Sequence, residues 1–315
     1  MDMDTPWDAV VVGGSAAGLA AALTLARSRR RVLVVDDGQP RNRFSPAVHG
    51  VVGHDGRPPG ELLAAARAEA AGYGAAFRTG TVTTVHRAGA TLTVVPEAGD
   101  PLAARALVVA SGITDRLPDV PGLAPRWGRS VLHCPYCHGW EVRDRRLAVL
   151  LTSPLQLHQV ELVRQLSADV VVCTGGLGTL DPEVERRWRA RGITPVADPV
   201  VEVLGQGHVT TGLRTASGDV VPVDAVFVAP TPVPRDTFLA GLGLRRAERA
   251  GVSLLAVDGT GRTSDDRVWA AGNVVDPGAN VAGSAAAGTL AGAAVNLALA
   301  GADTDAALEA VVGRG

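Results

Sequence analysis

Lysine is absent from this 315-residue chain, because all 30 of its basic residues are arginine. That absence excludes Schiff-base lysine chemistry and the lysine of a phosphate-binding P-loop. Aromatic residues make up only 3% of the chain, whereas there are 38 glycines, a balance that favours a nucleotide-binding α/β protein over an all-β one. The formal net charge of -2 provides no electrostatic case for binding nucleic acid.

Cysteine is also scarce, with only Cys134, Cys137 and Cys173 present. Three cysteines cannot form a structural disulfide framework in a chain of this size. A close pair together with a distant single cysteine indicates a redox or metal site in a reducing compartment. We therefore expect thiol or metal chemistry at the pair.

The apolar run at residues 9–26 could be mistaken for a secretory signal. It follows Asp2, Asp4 and Asp8, whereas a signal peptide has a basic segment before its apolar region. No other stretch looks long enough to span a membrane. We expect a cytoplasmic protein that contacts neither membrane nor nucleic acid.

Strand and helix patterns alternate along the chain and then start again. The predicted strands are residues 8–13, 31–36, 81–86, 91–96, 106–110, 146–151, 169–173 and 268–271, and the predicted helices are residues 15–28, 60–72, 155–166 and 284–300. Two separated strand–helix–strand units predict an α/β fold with two Rossmann-like domains. The last strand and helix have no nearby partner, so we expect them to complete the first domain. That places the first domain at 1–118 and 245–315, with the second inserted at 119–244.

The turn after the first strand has a dinucleotide-binding pattern, GGSAAG, which is GxGxxG with serine at the middle glycine. Gly13 allows the tight turn, and Gly18 allows the helix to approach the strand closely. Ser15 and Ala16 begin the helix, where backbone N–H groups can bind a pyrophosphate. We predict that these four residues contact a dinucleotide.

An acidic residue follows this turn at the expected distance. Asp36 ends the next strand, where a carboxylate accepts hydrogen bonds from the adenosine ribose hydroxyls. Asp37 is the alternative, since it is adjacent in sequence.

Two further segments identify the dinucleotide by resemblance. The sequence VWAAGNV at residues 268–274, a following helix that contains glycine, and the ASG segment at 110–112 resemble the FAD-binding set of the thioredoxin reductase family. The resemblance covers nearly the whole chain. It implies that FAD is bound, and that Asn273 replaces an aspartate that holds the ribityl chain. The further contacts that it implies are Ala110, Gly112, Asn42, Asn280 and Val281.

The most specific motif in the sequence is HCPYCHG at residues 133–139. Two cysteines three apart at a helix start can close a reducible disulfide, and neighbouring histidine or a helix N-terminus favours the thiolate. Three interpretations are open at this point: a redox dithiol facing a flavin, attachment of a c-type haem, and half of a zinc site. Haem attachment requires export, and a structural zinc site requires four ligands. We therefore favour the redox dithiol and expect no metal.

The thioredoxin reductase resemblance also implies roles for the motif. In that family the motif is Cys-x-x-Cys-Asp, so Cys137 would face the flavin and Cys134 would exchange with substrate. His138 takes the place of the proton-shuttling aspartate, and histidine suits proton removal from a thiol. His133 could share this role, and the sequence does not separate the two.

The NADPH site of that family is missing from this sequence. The expected GxGxxA turn is replaced by LTSPLQ at residues 151–156, and the His-Arg-Arg run by Thr174, Gly175 and Gly176. Without glycines a pyrophosphate could not approach the backbone closely. We expect an inserted domain that keeps the Rossmann fold without its nucleotide.

With no NADPH to reduce the flavin, a dithiol becomes the natural electron donor. This pattern resembles the thioredoxin-reductase-like dithiol oxidases that form the disulfides of holomycin, gliotoxin and romidepsin. The resemblance implies FAD, a small-molecule dithiol substrate, O2 as the acceptor giving H2O2, and a homodimer. The alternatives are a thioredoxin reductase that uses NADPH or another electron donor, and a flavin-bound redox sensor without turnover.

Overall fold

A computed structural model describes residues 5–178, 180–249 and 251–312 of the chain. The chain divides into two compact units. The first unit contains the residues up to Arg41, Gly60–Thr114 and the residues from Pro232 onward. The second unit contains Asn42–Pro59 and Asp115–Thr231.

Both units contain strands and helices. The helices are α1 (Ala16–Arg27), α2 (Pro59–Gly72), α3 (Pro135–His138), α4 (Leu157–Val163), α5 (Pro182–Ala190) and α6 (Val281–Val312). The strands are β1 (Trp7–Val12), β2 (Val32–Asp36), β3 (Ala76–Thr79), β4 (Val82–Ala88), β5 (Thr91–Pro96), β6 (Leu102–Val109), β7 (Ile113–Arg116), β8 (Val131–Leu132), β9 (Leu147–Leu150), β10 (Val170–Cys173), β11 (Ile193–Val196), β12 (Val200–Leu204), β13 (Gly212–Thr215), β14 (Val220–Val221), β15 (Ala225–Val228), β16 (Thr231–Pro234), β17 (Arg246–Arg249), β18 (Val252–Leu255) and β19 (Val268–Ala270).

The first unit is built on a sheet of order β3-β2-β1-β6-β5-β4, and β19 also pairs with β6. Strands β3, β2, β1, β6 and β19 run parallel, with Val10 of β1 opposite Leu33 of β2 and Leu107 of β6. Strands β4 and β5, which correspond to the predicted strands at 81–86 and 91–96, pair antiparallel. The parallel strands are apolar runs because both of their faces are covered.

Two cores cover the faces of this sheet. On one face Val10 and Leu107 pack with Phe238. On the other face Val11 packs beneath α1 and α6 with Leu25 and other buried residues. The predicted α/β fold is confirmed, and the dinucleotide turn lies at the carboxyl end of β1, where ligands bind in sheets of this kind.

Helix α6 has 32 residues and is therefore longer than the helix predicted at 284–300. It packs closely on α1, and a Cβ at Gly288 would lie 2.0 Å from the carbonyl oxygen of Ala17. With a mean hydropathy of 1.5, α6 is long and apolar enough to cross a membrane by length and composition alone, which corrects the expectation that no such stretch follows residue 26. Only 28% of its 18-residue apolar window is buried, and Ala291, Val295 and Leu299 of α6 pack on the core of the first unit.

The second unit is built on a parallel sheet of order β11-β10-β9-β15-β8, with a separate antiparallel sheet of β12, β13 and β14. The predicted strands at 146–151 and 169–173 appear as β9 and β10. The helix predicted at 155–166 is shorter, because Pro154 begins a 3-10 turn, Pro154–Gln156, before α4.

The predicted domain boundaries need correction. The second crossing lies at Thr231 and Pro232 rather than at residue 244, because Phe238 and Leu239 are buried in a core of the first unit. The first crossing lies at Thr114, slightly before the predicted residue 118. Residues 42–59 belong with the second unit, although they were placed in the first domain.

Candidate active site

The turn between β1 and α1 is closed by backbone contacts that only glycine permits. Gly13 has φ of +105° and donates its N–H to the carbonyl oxygen of Val35 at 2.8 Å. A Cβ at Gly13 would lie 2.3 Å from the carbonyl oxygen of Ala110, and one at Gly18 would lie 1.8 Å from that of Gly13. Ser15 is the N-cap of α1, and its side chain makes no capping hydrogen bond. The first N–H groups of α1, beginning at Ala16, are thus available to a pyrophosphate.

The carboxylate of Asp36 lies directly against this turn. Its Oδ1 accepts the N–H of Gly14 at 2.8 Å. Asp37 instead forms an ion pair with Arg235 and accepts the N–H of Gln39 at 3.0 Å. The structure therefore favours Asp36 over Asp37 as the ribose ligand.

Ser111 lies beside the turn and is a further candidate ligand that was not predicted from the sequence. Among the described residues its buried Oγ has no hydrogen-bond partner. Its neighbour Ala110 donates an N–H to the carbonyl oxygen of Val12 at 2.8 Å, and Gly112 has φ of +70°. A buried hydroxyl without a partner costs free energy unless a ligand satisfies it. Ser111 and the close glycine turn thus fit a bound dinucleotide such as FAD.

Asn273 has a structural role that an aspartate could not fulfil. Its Nδ2 donates to the carbonyl oxygens of Asp276 at 3.0 Å and Ala279 at 2.8 Å, whereas a carboxylate has no donor. Its Oδ1 remains the atom suited to accept a ribityl hydroxyl. Asn280 caps α6, because its Oδ1 accepts the N–H of Gly283 at 2.8 Å just after Val281 begins the helix.

Asn42 is assigned to the second unit, whereas the other predicted FAD contacts belong to the first. It lies in a 3-10 turn, Arg41–Phe44, and it clusters with the second unit. Its carbonyl oxygen accepts the N–H of Ser45 at 3.0 Å. The predicted contact of Asn42 with FAD stays a prediction.

The cysteine pair lies on a single helical turn that follows β8. Cys134 is the N-cap of α3, and Pro135 occupies a first-turn position, where its missing N–H is not needed. The N–H of Cys137 donates to Cys134 Sγ at 3.2 Å. A backbone donor of this kind stabilises negative charge on sulfur. The predicted placement of the pair at a helix start is confirmed.

His138 ends this turn and is half-buried. Burial lowers its pKa below the ordinary value of 6.5, while the carboxylate of Glu141 raises it and the nearby His49 lowers it. The imidazole is therefore neutral near neutral pH, which is the form that takes a proton from a thiol.

His133 contributes its backbone to the same region. Its carbonyl oxygen accepts a hydrogen bond from Nε2 of Gln159 on α4. Gln159 is buried, and its Oε1 has no partner among the residues described. Gln159 could not be predicted from the sequence, because nothing in its local pattern marks it as contacting the end of β8.

Cys173 lies on a different element from the pair, as the buried last residue of β10. Burial raises the pKa of its thiol to about 12, so it is inert at neutral pH. In the described ranges 5–178, 180–249 and 251–312, no three or more His, Cys, Asp or Glu side chains are grouped to hold a metal ion.

The turn after β9, where the second nucleotide would bind, is filled by Gln156. This side chain is only 8% exposed. Its Oε1 accepts the N–H of Thr152 at 2.9 Å, and its Nε2 donates to Thr152 Oγ1 at 3.0 Å and to the carbonyl oxygen of Ala229 at 3.4 Å. The Thr152 N–H of this turn is thus hydrogen-bonded to Gln156, in the place where a pyrophosphate would accept it.

The described residues 174–178, which follow β10, likewise include no basic side chain for a 2′-phosphate. The Thr174 hydroxyl donates to the carbonyl oxygen of Val196 at 3.3 Å. A Cβ at Gly175 would lie 2.6 Å from Cα of Pro199, so a larger side chain has no room there. Both features support the loss of the nucleotide that the sequence predicts.

The chain matches the family described as pyridine nucleotide-disulphide oxidoreductases over residues 7–292. It is 42% identical to the protein in the crystal structure of HlmI, with a TM-score of 0.93 over 99% of this chain and 98% of that one. It is 31% identical to an oxidoreductase from Agrobacterium tumefaciens, with a TM-score of 0.89 over 94% of this chain and 99% of that one.

Curated relatives carry the name thioredoxin reductase. The sirT protein of Leptosphaeria maculans is 28% identical over 94% of this chain and 95% of that protein. The tcpT protein of Claviceps purpurea is 33% identical over 56% of this chain, and the match spans 58% of tcpT. In a probable thioredoxin reductase of Arthroderma benhamiae, the match spans 44% of the relative's length. The predicted resemblance to thioredoxin-reductase-like oxidoreductases is confirmed.

Proposed function

Because the chain belongs to the pyridine nucleotide-disulphide oxidoreductase family, we propose that it is an FAD-dependent dithiol oxidase of small-molecule natural products. The reaction converts a substrate dithiol and O2 into the substrate disulfide and H2O2. The observation that carries this proposal is the Gln156 side chain, which occupies the turn where a reductase binds its pyrophosphate. Without NADPH, a substrate dithiol is the natural electron donor for this pair.

The residues that would hold FAD are those at the first-unit turn. The N–H groups at the start of α1 would bind the pyrophosphate, and Asp36 would bind the ribose. Ser111 supplies a hydroxyl that lacks a partner in the described part of the chain. When bound, FAD would supply the electron transfer from the reduced cysteine pair to O2.

The thiol exchange starts from the oxidised Cys134–Cys137 pair. His138 takes the proton from one substrate thiol, because its imidazole is neutral at neutral pH. The resulting thiolate attacks Cys134, and the Cys134–Cys137 bond breaks, which leaves Cys137 as a thiolate. The second substrate thiol then attacks the mixed disulfide and releases the substrate disulfide. Two electrons and two protons have entered the protein, and their transfer to O2 restores the pair.

The test is oxygen uptake by the flavin-loaded protein with a panel of small dithiols. We expect one O2 to be consumed per dithiol, and catalase to return half of that oxygen. A Cys137→Ser variant should be inactive. Cys173→Ala is the matched control, because Cys173 is a buried cysteine remote in sequence from the pair. Normal dithiol oxidation by Cys137→Ser would overturn the proposal.

The names of the relatives favour a second candidate, a thioredoxin reductase. This candidate predicts that anaerobic NADPH, or another electron donor, reduces the flavin and that thioredoxin is then reduced. Rapid anaerobic bleaching of the flavin by NADPH would replace the oxidase with this candidate. We expect no bleaching by NADPH and rapid bleaching by a substrate dithiol.

We further propose that the protein is a cytoplasmic homodimer. Its reduced-thiol chemistry suits a reducing compartment. The large apolar side chains of Leu290 and Leu297 on α6 are exposed in the single chain, by 58% and 75%. Covering them with a second copy would remove apolar surface from water. Sedimentation of the native protein and of Leu297→Glu tests this, since the substitution should shift a dimer toward monomer.

A further inference from the structure

A short loop brings a third histidine, His49, to the neighbourhood of the redox turn. Val48 and Arg57 form an isolated bridge, in which the N–H of Val48 donates to the carbonyl oxygen of Arg57 at 2.8 Å. The N–H of Gly56 donates back to the carbonyl oxygen of Val48 at 2.9 Å. His49 follows Val48 directly and belongs to the same unit as the cysteine pair. The closed loop therefore presents His49 from a defined backbone.

The imidazole of His49 lies between two carboxylates. Its Nδ1 is 3.3 Å from Oδ2 of Asp55, and its Nε2 is 3.3 Å from Oε1 of Glu141. The N–H of Gly50 donates to Oδ1 of Asp55 at 3.0 Å, and this hydrogen bond, followed by the one from His49, lowers the Asp55 pKa. Asp55 is thus a carboxylate at neutral pH. It orients His49 toward Glu141 as carboxylates orient histidines in other sites.

Glu141 connects this chain of contacts to the proposed base. It lies three residues after His138, in the 3-10 turn Trp140–Val142 that follows α3. Within the described ranges, the charged groups that shift the pKa of His138 are Glu141, which raises it, and His49, which lowers it. Glu141 and His49, which contact each other, therefore shift the His138 pKa in opposite directions.

A structural role alone explains this arrangement poorly. Glu141 is 41% exposed, and Asp55 is 67% exposed. Ion pairs with this exposure contribute little to folding stability. The same charges matter more to a half-buried imidazole that must gain a positive charge during the reaction.

We propose that Glu141 and His49 are positioning residues for His138, with Glu141 stabilising the imidazolium that forms when His138 takes a thiol proton, and His49 holding and partly balancing the Glu141 carboxylate. This inference rests on the proposed function, because it assigns His138 as the base. It adds to the proposed site two residues that lie outside the CxxCH motif.

The direct test measures the titration of His138 in the flavin-loaded protein. The chain has seven histidines, so ring signals of carbon-13-labelled histidine can be followed by NMR, and a His138→Asn variant assigns the signal. In Glu141→Gln we expect His138 to titrate at lower pH than in the wild type. In His49→Gln we expect it to titrate at higher pH. Glu161→Gln is the matched control, since Glu161 also makes one 3.3 Å ion pair, with Arg187, in the same unit.

A purely structural role predicts a different result. If the contact only covered His138, both substitutions would expose the imidazole to water, and both would raise its pKa. An upward or absent shift in Glu141→Gln would overturn the inference, as would a downward or absent shift in His49→Gln.

The titration is independent of turnover, which separates this inference from the proposed function. Shifts in the expected directions without dithiol oxidation would leave the electrostatic device standing and overturn the oxidase. Dithiol oxidation without these shifts would support the oxidase and overturn the roles of Glu141 and His49. Where oxidation is present, the acid limb of its pH–rate profile should move in the same direction as the His138 titration in each variant.

Discussion

Replacing Gln156 by leucine tests whether this side chain both closes the former nucleotide turn and stabilises the second unit. The two side chains have similar size, so the main change is the loss of polar contacts. Leucine would leave the Thr152 N–H and the carbonyl oxygen of Ala229 without the partners that they have in the native protein. The perturbation is therefore a defined loss of buried hydrogen bonds.

The magnitude follows from the number and quality of those bonds. A buried group that loses its partner costs about 1–3 kcal/mol. The Thr152 N–H bond at 2.9 Å is well formed, whereas the one to Ala229 at 3.4 Å is long, so we count one full penalty. The expected destabilisation is about 1–3 kcal/mol, and each kcal/mol lowers the Tm of a domain of this size class by about 2–4 °C.

Thermal unfolding of Gln156→Leu beside Gln165→Leu provides the assay. Gln165 lies in the same unit, is exposed, and accepts one hydrogen bond from Arg191, so its substitution should change the Tm little. In neither variant should NADPH bleach the flavin, because the turn still lacks glycines. An unchanged Tm in Gln156→Leu, or rapid reduction of its flavin by NADPH, would refute this account of the turn.

Four further predictions concern the thiols, the flavin and the base. The pKa of Cys173, raised from 9.0 to about 12, leaves its thiolate about 1000-fold scarcer than that of an ordinary thiol, so mass spectrometry should find the native, reduced protein alkylated at the pair and not at Cys173. Gly18→Ala should be purified without flavin absorbance, because its Cβ would lie 1.8 Å from a carbonyl oxygen, whereas Gly301→Ala, with open space around it, should keep its flavin. His138→Asn should lose about 10²–10⁴-fold in dithiol oxidation. Because the His138 pKa is lowered, wild-type activity should persist as pH falls through 6.5 and decline only below it, and a decline centred above 6.5 would contradict this.

Features that depend on neighbouring residues could be predicted from the sequence. The glycine turn, the strand before it and the helix after it are specified within residues 7–27. The placement of Cys134 at a helix start follows from Pro135, whose fixed φ and missing N–H suit the first turn. The loss of glycine after β9 was also readable, because a pyrophosphate site requires glycine locally.

Features that depend on packing between distant segments could not be predicted. The boundary at Pro232 is set by Phe238 and Leu239, which pack on strands from residues 82–109. The full length of α6 was also missed. Its alanines and glycines continue without a break, and its close packing on α1 is a contact between helices more than 250 residues apart.

The sequence by itself determined the α/β class, the dinucleotide turn with Asp36, and the CxxCH motif, because each depends on residue types at short, fixed spacings. Only the tertiary structure decided that Gln156 fills the second turn, with a contact to Ala229, and that Glu141 meets His49 from a loop more than 80 residues earlier. Hydrogen bonds and charge interactions act over a few ångströms in space. Which distant residues come within that range is decided when the sheets and their connecting loops pack together.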